Sequence, residues 1–214
     1  EPGLDQIVAN NTKAGRLHFS VDLAESVRDA LVVFTSDHGE EFLEHGGMLH
    51  GRTLYEESIR VPFIVRFPDE RLAGTVVHEP VSIIDVLPTV LAAAGFDPPE
   101  DIAGSNLFGD GRVTVPRSRT VMSELLRGEG LRAGIDGRLK YIYDFNRDSG
   151  EMFDLGHDPG EQSDVAASNE EQALLYEAMI QAFAREQQAK RAETGETPTT
   201  PEDLEKLRGL GYVR

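Results

Sequence analysis

A chain of 214 residues with a formal net charge of −17 and a pI near 4.7 is a poor partner for nucleic acid or anionic membranes, which are bound by clustered Lys and Arg. Its 39% hydrophobic content with 21 glycines and 11 prolines is globular and rich in turns, enough for one domain with an appendage or two small ones. It has no cysteine, which excludes disulfides, thiolate metal sites and a cysteine nucleophile within these residues and leaves the redox compartment open.

The start, "EPGLDQIVANNTKAG", lacks the basic-then-apolar pattern of a signal peptide, and no run approaches the ~18 apolar residues of a membrane helix, so a soluble chain is expected. With no initiator Met, it reads as a mature form, a domain or a fragment. "SVDLAESVRDAL" predicts a helix capped by Ser20, with Leu23, Val27 and Leu31 at helical spacing. "ALVVF" (30–34) and "VPFIVRF" (61–67) are continuous apolar runs rich in branched side chains, expected as strands buried on both faces of a parallel sheet. "SIIDVLPTVLAAAG" predicts a helix with Leu87, Val90, Leu91 and Ala94 on one stripe, Pro88 in its opening turn and Gly95 just past its end; Asp85 is read as its cap rather than a metal ligand. Helix, strand, loop, strand, helix is an α/β order.

From about residue 116 the texture changes. "RTVMSE", "LRAGID", "LKYIYDF" and "EMFDL" are short, closely spaced segments suited to a small antiparallel sheet, with "DGR" at 136–138 marking a hairpin. "NEEQALLYEAMIQAFAREQQAKR" predicts an amphipathic helix begun at Asn169, with Leu175, Met179 and Phe183 as its core stripe. "AETGETPTTPED" reads as a linker and "LEKLRGLGYVR" as a short terminal element. The expected division is 1–115, the α/β core, and 116–214, a small α+β subdomain with the terminal helix and tail.

Half of the six histidines fall in "TSDHGEEFLEHGGMLHG" (35–51), directly after the first strand run. α/β folds place their chemistry at the carboxyl ends of strands, where the backbone opens into a crevice. Asp37 offers a hard oxygen and His38 an imidazole, a pair that Mg²⁺, Mn²⁺, Ca²⁺ or Zn²⁺ accepts to different degrees, and two adjacent residues cannot complete a coordination sphere. Taken alone, Asp-His-Gly is more often an ordinary turn, and His45 and His50 could be exposed bystanders. Their clustering favours a functional loop.

Several collinear motifs carry a resemblance. "VVFTSDHGEEFLEHGGMLHGRTLYEESIRVPFIVRFP" resembles the second signature region of the sulfatases of the alkaline phosphatase superfamily. "VSIIDVLPTVLAAAGF" is similar to their Asp-x-x-Pro-Thr helix, "EMFDLGHDPGEQSDVA" to their Asp-Pro-x-Glu turn and "LEKLRGLGYV" to the tail of many bacterial members. The resemblance implies an alkaline-phosphatase-like, mostly parallel sheet with flanking helices, present in part, followed by a small antiparallel sheet and helix. It implies hydrolysis of a sulfate ester on a small molecule or glycan, assisted by one divalent cation: Ca²⁺ by the family's habit, with Mn²⁺, Mg²⁺ and Zn²⁺ open. Asp37 and His38 resemble the cation pair; His38 stands where many relatives have Asn, which leans toward Mn²⁺ or Zn²⁺ and is shared with phosphonate and phosphodiester hydrolases of the superfamily. His50 resembles the basic residue that contacts the sulfate or protonates the leaving oxygen. His45 is a second catalytic candidate and Arg52 a second substrate contact. By family analogy the location is periplasmic or extracellular, with the cytoplasm open, as is the oligomeric state. Tyr55, Glu56, Glu57 and Arg60 are expected to be structural, Arg60 pairing with one of the acids, and Asp154 and Asp158 to shape a turn.

The family's nucleophile is a formylglycine made inside Cys/Ser-x-Pro-x-Arg, and neither that motif nor the paired aspartates that complete the cation site can be read here; "TVPRSR" (114–119) places its residues wrongly. The expectation is the C-terminal part of a sulfatase, inactive by itself, with two alternatives: a phosphonate or phosphate diester hydrolase of the same superfamily, or an inactive fragment or noncatalytic binding module.

Overall fold

The computed structural model describes residues 7–9, 29–125, 130–194 and 205–206. The helix expected from Ser20, the linker beyond residue 194 and most of the terminal element therefore lie outside the described residues. The described residues up to 177 form one compact unit and those from 178 onward belong to a second.

The first unit contains a mixed four-stranded sheet of β1 (Ile7–Ala9), β2 (Val32–Thr35), β3 (Phe63–Arg66) and β4 (Val76–Val77), in the order β2-β3-β1-β4. Both apolar runs form strands, but they pair antiparallel, Val32 opposite Arg66 and Thr35 opposite Phe63, rather than parallel. The connection explains why. A parallel return needs a crossover that carries the chain back along the sheet. Residues 36–62 instead hold a loop and the four-residue helix α1 (Glu56–Ile59), so the chain re-enters beside the end it left. Branched composition encodes a strand and not its direction. Only β3 has the expected double-faced burial, at Phe63, Ile64 and Val65, while Phe34 of β2 is 42% exposed. Parallel pairing is found between β1 and β4. Phe63, Val65, Phe67, Val77 and Leu107 form the core on this sheet, joined by Val86 and Ala93 of α2 (Val86–Ala93).

Asp85 organises the entry to α2. Fully buried, its carboxylate accepts the backbone N–H of Ser82 and of Ser105, both at 2.8 Å, and two guanidinium bonds from Arg119 at 2.7 Å. With the Ser82 side chain it closes a capping box over the 3-10 turn Ile83–Asp85, and its side chain makes no cap bond to α2 itself, so it holds the turn before the helix and not the helix end expected of it. Pro88 sits in the first turn of α2, where its missing N–H costs no helical bond. The helix ends in a Schellman motif: Phe96 N–H reaches Leu91 O at 2.9 Å and Gly95 N–H reaches Ala92 O at 3.1 Å, with Gly95 at φ +83°. Thr89 accepts the Leu107 N–H at 3.1 Å, so the Asp and Thr of the motif both hold the strap 104–107. That strap passes so close to the turn that a Cβ on Gly104, at φ +91°, would lie 2.3 Å from Ile84 O. Gly104→Ala is expected to cost about 2 kcal/mol or more through overpacking and left-handed strain. A urea midpoint lowered at unchanged m would show it; a shift below about 0.5 kcal/mol would mean that the strap moves freely away.

Beyond a short hairpin of β5 (Phe108–Gly109) and β6 (Arg112–Val113), four strands form the expected antiparallel sheet: β7 (Thr120–Leu125), β8 (Leu131–Asp136), β9 (Leu139–Asp144) and β10 (Ser149–Asp154). Asp136 pairs with Leu139 across the expected Gly137-Arg138 turn. One face carries Ala133, Ile142 and Phe153 against Leu54, Tyr55 and Ile59, which seats the α1 segment on this sheet.

The helix α3 (Glu170–Thr194) begins just after Asn169 and passes into the second unit, where Lys190 and Glu186 pair at 2.7 Å. Its rotation differs from expectation: Ala173, Tyr176, Ile180 and Ala184 are buried, whereas Leu175 is exposed. Apolar residues occupy both stripes, so periodicity leaves the choice of face open. Among the described residues no helix is long and apolar enough to cross a membrane.

Candidate active site

β2 ends at Thr35, and the next four residues are shaped by close approach to α1. Gly39 donates its N–H to Ser58 O at 2.8 Å, and a Cβ there would lie 2.0 Å from Glu57 O, so only glycine fits the third position of Asp-His-Gly. Ser36 donates its hydroxyl to His38 O at 2.8 Å, and Asp37 Oδ1 accepts the His38 N–H at 3.0 Å. His38 Nδ1 lies 2.7 Å from Gly39 O. Donating there places the lone pair of the neutral ring on Nε2, which is 3.7 Å from Asp37 Oδ2. A carboxylate oxygen and an imidazole lone pair so close to each other are a donor set that a divalent cation accepts in part. Asp37, 60% exposed at its side chain, and His38 open onto a cleft of about 570 Å³ whose other walls include Thr53, His78 and Ser123. Among the described residues no third His, Cys, Asp or Glu joins the pair to form a closed metal cage.

His50 comes to the same place. Its ring stacks on that of His38, with centroids 4.1 Å apart and planes at 27°, and its Nδ1 is 3.3 Å from Glu40 Oε2. An imidazole with one nitrogen turned to a carboxylate has the other left for proton transfer. Arg52 is exposed and lies outside the lining of the cleft.

His45 is placed differently. Its Nδ1 is 2.5 Å from Glu57 Oε1 and its Nε2 is 3.0 Å from Glu161 O, while the ring stacks on Tyr55 at 3.7 Å. The side chains of His45 and Glu57 are only 12% and 10% exposed. Burial by itself would lower the imidazole's affinity for protons. The bonds to Glu57 and the Glu161 carbonyl, with the charges of both glutamates, outweigh it and hold the ring above its ordinary value. Both nitrogens face acceptors, the arrangement of an imidazolium.

Around His45 lies a charged network. Lys140, fully buried on β9, puts Nζ 3.1 Å from Glu56 Oε1 and 2.7 Å from Glu161 Oε1. Glu161 Oε2 accepts the Glu56 N–H at 2.5 Å, and Arg60 pairs with Glu56 at 3.4 Å, as expected of that arginine. Asp158 shapes the preceding turn by accepting the N–H groups of Gln162 and Ser163. Glu41, also fully buried, braces the loop from inside, accepting the Gly47 N–H at 2.8 Å and the Thr53 hydroxyl at 3.2 Å. Leu43 and Leu49 are held at φ +73° and +72°, a left-handed conformation that leucine adopts only under constraint.

Sequence reasoning passed over Lys140, Glu161 and Glu41. The available signal was a lysine on the apolar strand "LKYIYD" and a glutamate in "DPGEQSD", and neither names its partner.

Compared with known proteins, residues 19–96 match the family model "Sulfatase". The chain is 32% identical over 151 residues to the uncharacterized sulfatase YidJ of Escherichia coli (strain K12), covering 66% of this chain and 29% of the relative. It is 28% identical over 175 residues to an N-acetylglucosamine-6-O-sulfatase of Bacteroides thetaiotaomicron, covering 76% and 31%. Among solved structures, BT4656 in complex with its substrate D-glucosamine-2-N,6-O-disulfate superposes with a TM-score of 0.57 at 26% identity, covering 76% of this chain and 35% of that one. The chain spans under a third of the length of the curated relatives it matches.

Proposed function

We propose, on the premise that the chain belongs to the sulfatase family with its alkaline-phosphatase-like α/β fold, that it supplies one side of the active site of a sulfuric ester hydrolase. Asp37 and His38 hold a divalent cation, and His50 is the proton donor to the departing alcohol. The observation that carries this reading is the meeting of three groups at the end of β2: Asp37 Oδ2, His38 Nε2 and the His50 ring stacked on His38.

When bound, the cation supplies Lewis-acid polarisation of the sulfuryl group. The protein's own residues do the rest of what this side contributes. The Nδ1 contact of His38 with Gly39 O orients its ring and places the lone pair of the neutral imidazole on Nε2. As the bond from sulfur to the alcohol oxygen breaks, the electron pair stays on oxygen, and His50, its Nδ1 turned to Glu40, delivers a proton there. The nucleophile comes from outside these residues, which contain neither cysteine nor Ser-x-Pro-x-Arg. The substrate is a sulfate ester of a sugar, a reading supported by the named N-acetylglucosamine-6-O-sulfatase and by BT4656 with its glucosamine disulfate, and a periplasmic or extracellular location follows the family analogy.

Asp37→Ala in the complete protein is expected to weaken Mn²⁺ or Ca²⁺ binding by at least about 100-fold, since even outer partners of metal ligands are worth 10–100-fold. Titration calorimetry reads this directly. Unchanged affinity would remove Asp37 from the cation site and with it the reading.

A further inference from the structure

His45 lies midway along the loop that carries Asp37, His38 and His50, and it is tied to three separate elements. Nδ1 reaches Glu57 on α1, Nε2 reaches the backbone of the turn after β10 at Glu161, and the ring lies on Tyr55, whose hydroxyl donates to Glu151 of β10 at 2.8 Å. The anchors are themselves immobilised. Glu161 is clamped by Lys140 from β9 and by the Glu56 N–H, and Tyr55 packs edge-on against Phe153 at 5.9 Å.

We infer that His45 is a positioning residue, a protonation-dependent latch that fastens the site loop to the antiparallel sheet and so sets where His38 and His50 stand. The inference rests on the proposed role of those two histidines. A cation with two N–H bonds can satisfy Glu57 and the Glu161 carbonyl together. A neutral imidazole has one N–H, so one of the two acceptors would face a lone pair at hydrogen-bond distance. Gln162 offers the neutral ring an alternative: its Nε2 is 3.3 Å from His45 Nε2 and is held by Gly160 O at 2.7 Å. Deprotonation therefore exchanges the bond to the Glu161 carbonyl for one to a side chain of the exposed turn. The charged and titratable groups facing the ring are Glu57 and Tyr55 beside α1 and Glu161 beyond β10, with Glu56, Arg60, Lys140 and Glu151 behind them.

The sign follows from the direction of the shift. The folded imidazole binds its proton more tightly than the free one, so the latch is fully closed below the free value of 6.5 and is lost as pH rises through the raised folded value.

Amide hydrogen exchange of the complete protein between pH 5.5 and 9, corrected for intrinsic rates, tests this. In the wild type, protection at Gly47 and Leu49, whose N–H groups bond to Glu41, is expected to fall by at least about 10-fold across one titration step while β8 and β9 amides stay flat. In His45→Gln the loop is expected to exchange fast at every pH, with no step. A flat wild-type profile, or a step that survives in His45→Gln, overturns the latch. Should the variant not fold, nitrogen shifts of His45 in the wild type decide instead: both ring nitrogens protonated at low pH, titrating together with the loop step, support the latch, and titration apart from it overturns the latch. These readouts need no cation, so the Asp37→Ala result and the latch can fail independently.

Discussion

Lys140→Met is expected to destabilise the protein by about 3–5 kcal/mol at neutral pH, the cost of leaving buried charges unpaired. The methionine keeps the unbranched stem, one atom shorter, and removes the ammonium with its N–H donors, so packing loss is small. What remains is Glu56 and Glu161, both buried, without the ammonium that lies 3.1 and 2.7 Å from them. In the intact protein, burial already pushes the Glu161 carboxyl upward, and Lys140, with the Glu56 N–H, pulls it back only in part. Removing the ammonium lets it rise further. A carboxyl raised above its unfolded value makes the folded state bind the extra proton, so the variant loses stability as pH rises and recovers some as pH falls. The deficit in guanidinium or urea unfolding should therefore be larger at pH 7 than at pH 5, and Lys140→Met with Glu161→Gln should recover part of it. A loss below about 1 kcal/mol at pH 7, equal at both pH values, would mean that water reaches the site and replaces the lysine.

The second large effect is on turnover. On the proposed role of His50, His50→Ala in the complete protein is expected to lower kcat/KM for a sulfate ester by about 10²–10⁴-fold, the usual worth of a positioned proton donor. The size should depend on the leaving group. A sugar or alkyl alkoxide needs the proton in the transition state, so its sulfate ester should show the full loss. A nitrophenolate departs without help, so its sulfate should lose far less. Assaying both esters with wild type and variant separates proton donation from plain binding, which would weaken both alike. An equal loss for the two esters would make His50 a sulfate-binding group; no loss for either would remove it from the site. His50 contacts Glu40 and the ring of His38, a member of the proposed cation pair, so cation affinity should be measured in the same variant.

These two residues differ in how legible they were. His50 stands in a dense cluster of polar residues after a strand, and the resemblance of that stretch to the sulfatase signature singled it out. Lys140 is one residue in a strand, and its meaning lies in Glu56, 84 positions earlier in the chain. His45 and His50 are alike in sequence, five residues apart in one glycine-rich loop. The fold separates them by what each ring meets: Glu57 and a buried carbonyl for one, Glu40 and the His38 ring for the other.

By itself the sequence determined the features that a few neighbouring residues decide: the strands at 32–35 and 63–66, the Gly95 ending of α2, the turn at 137–138 and the placing of Asp37, His38 and His50 in one loop. Only the tertiary structure decided the antiparallel pairing of β2 with β3, the buried face of α3 and the fastening of His45 to a carbonyl 116 positions away. The physical reason is the range of the interactions. Periodicity, capping and turn chemistry act over one or two turns of chain. Strand direction, helix rotation and the partner of a charge are settled by surfaces that meet only once the chain has folded.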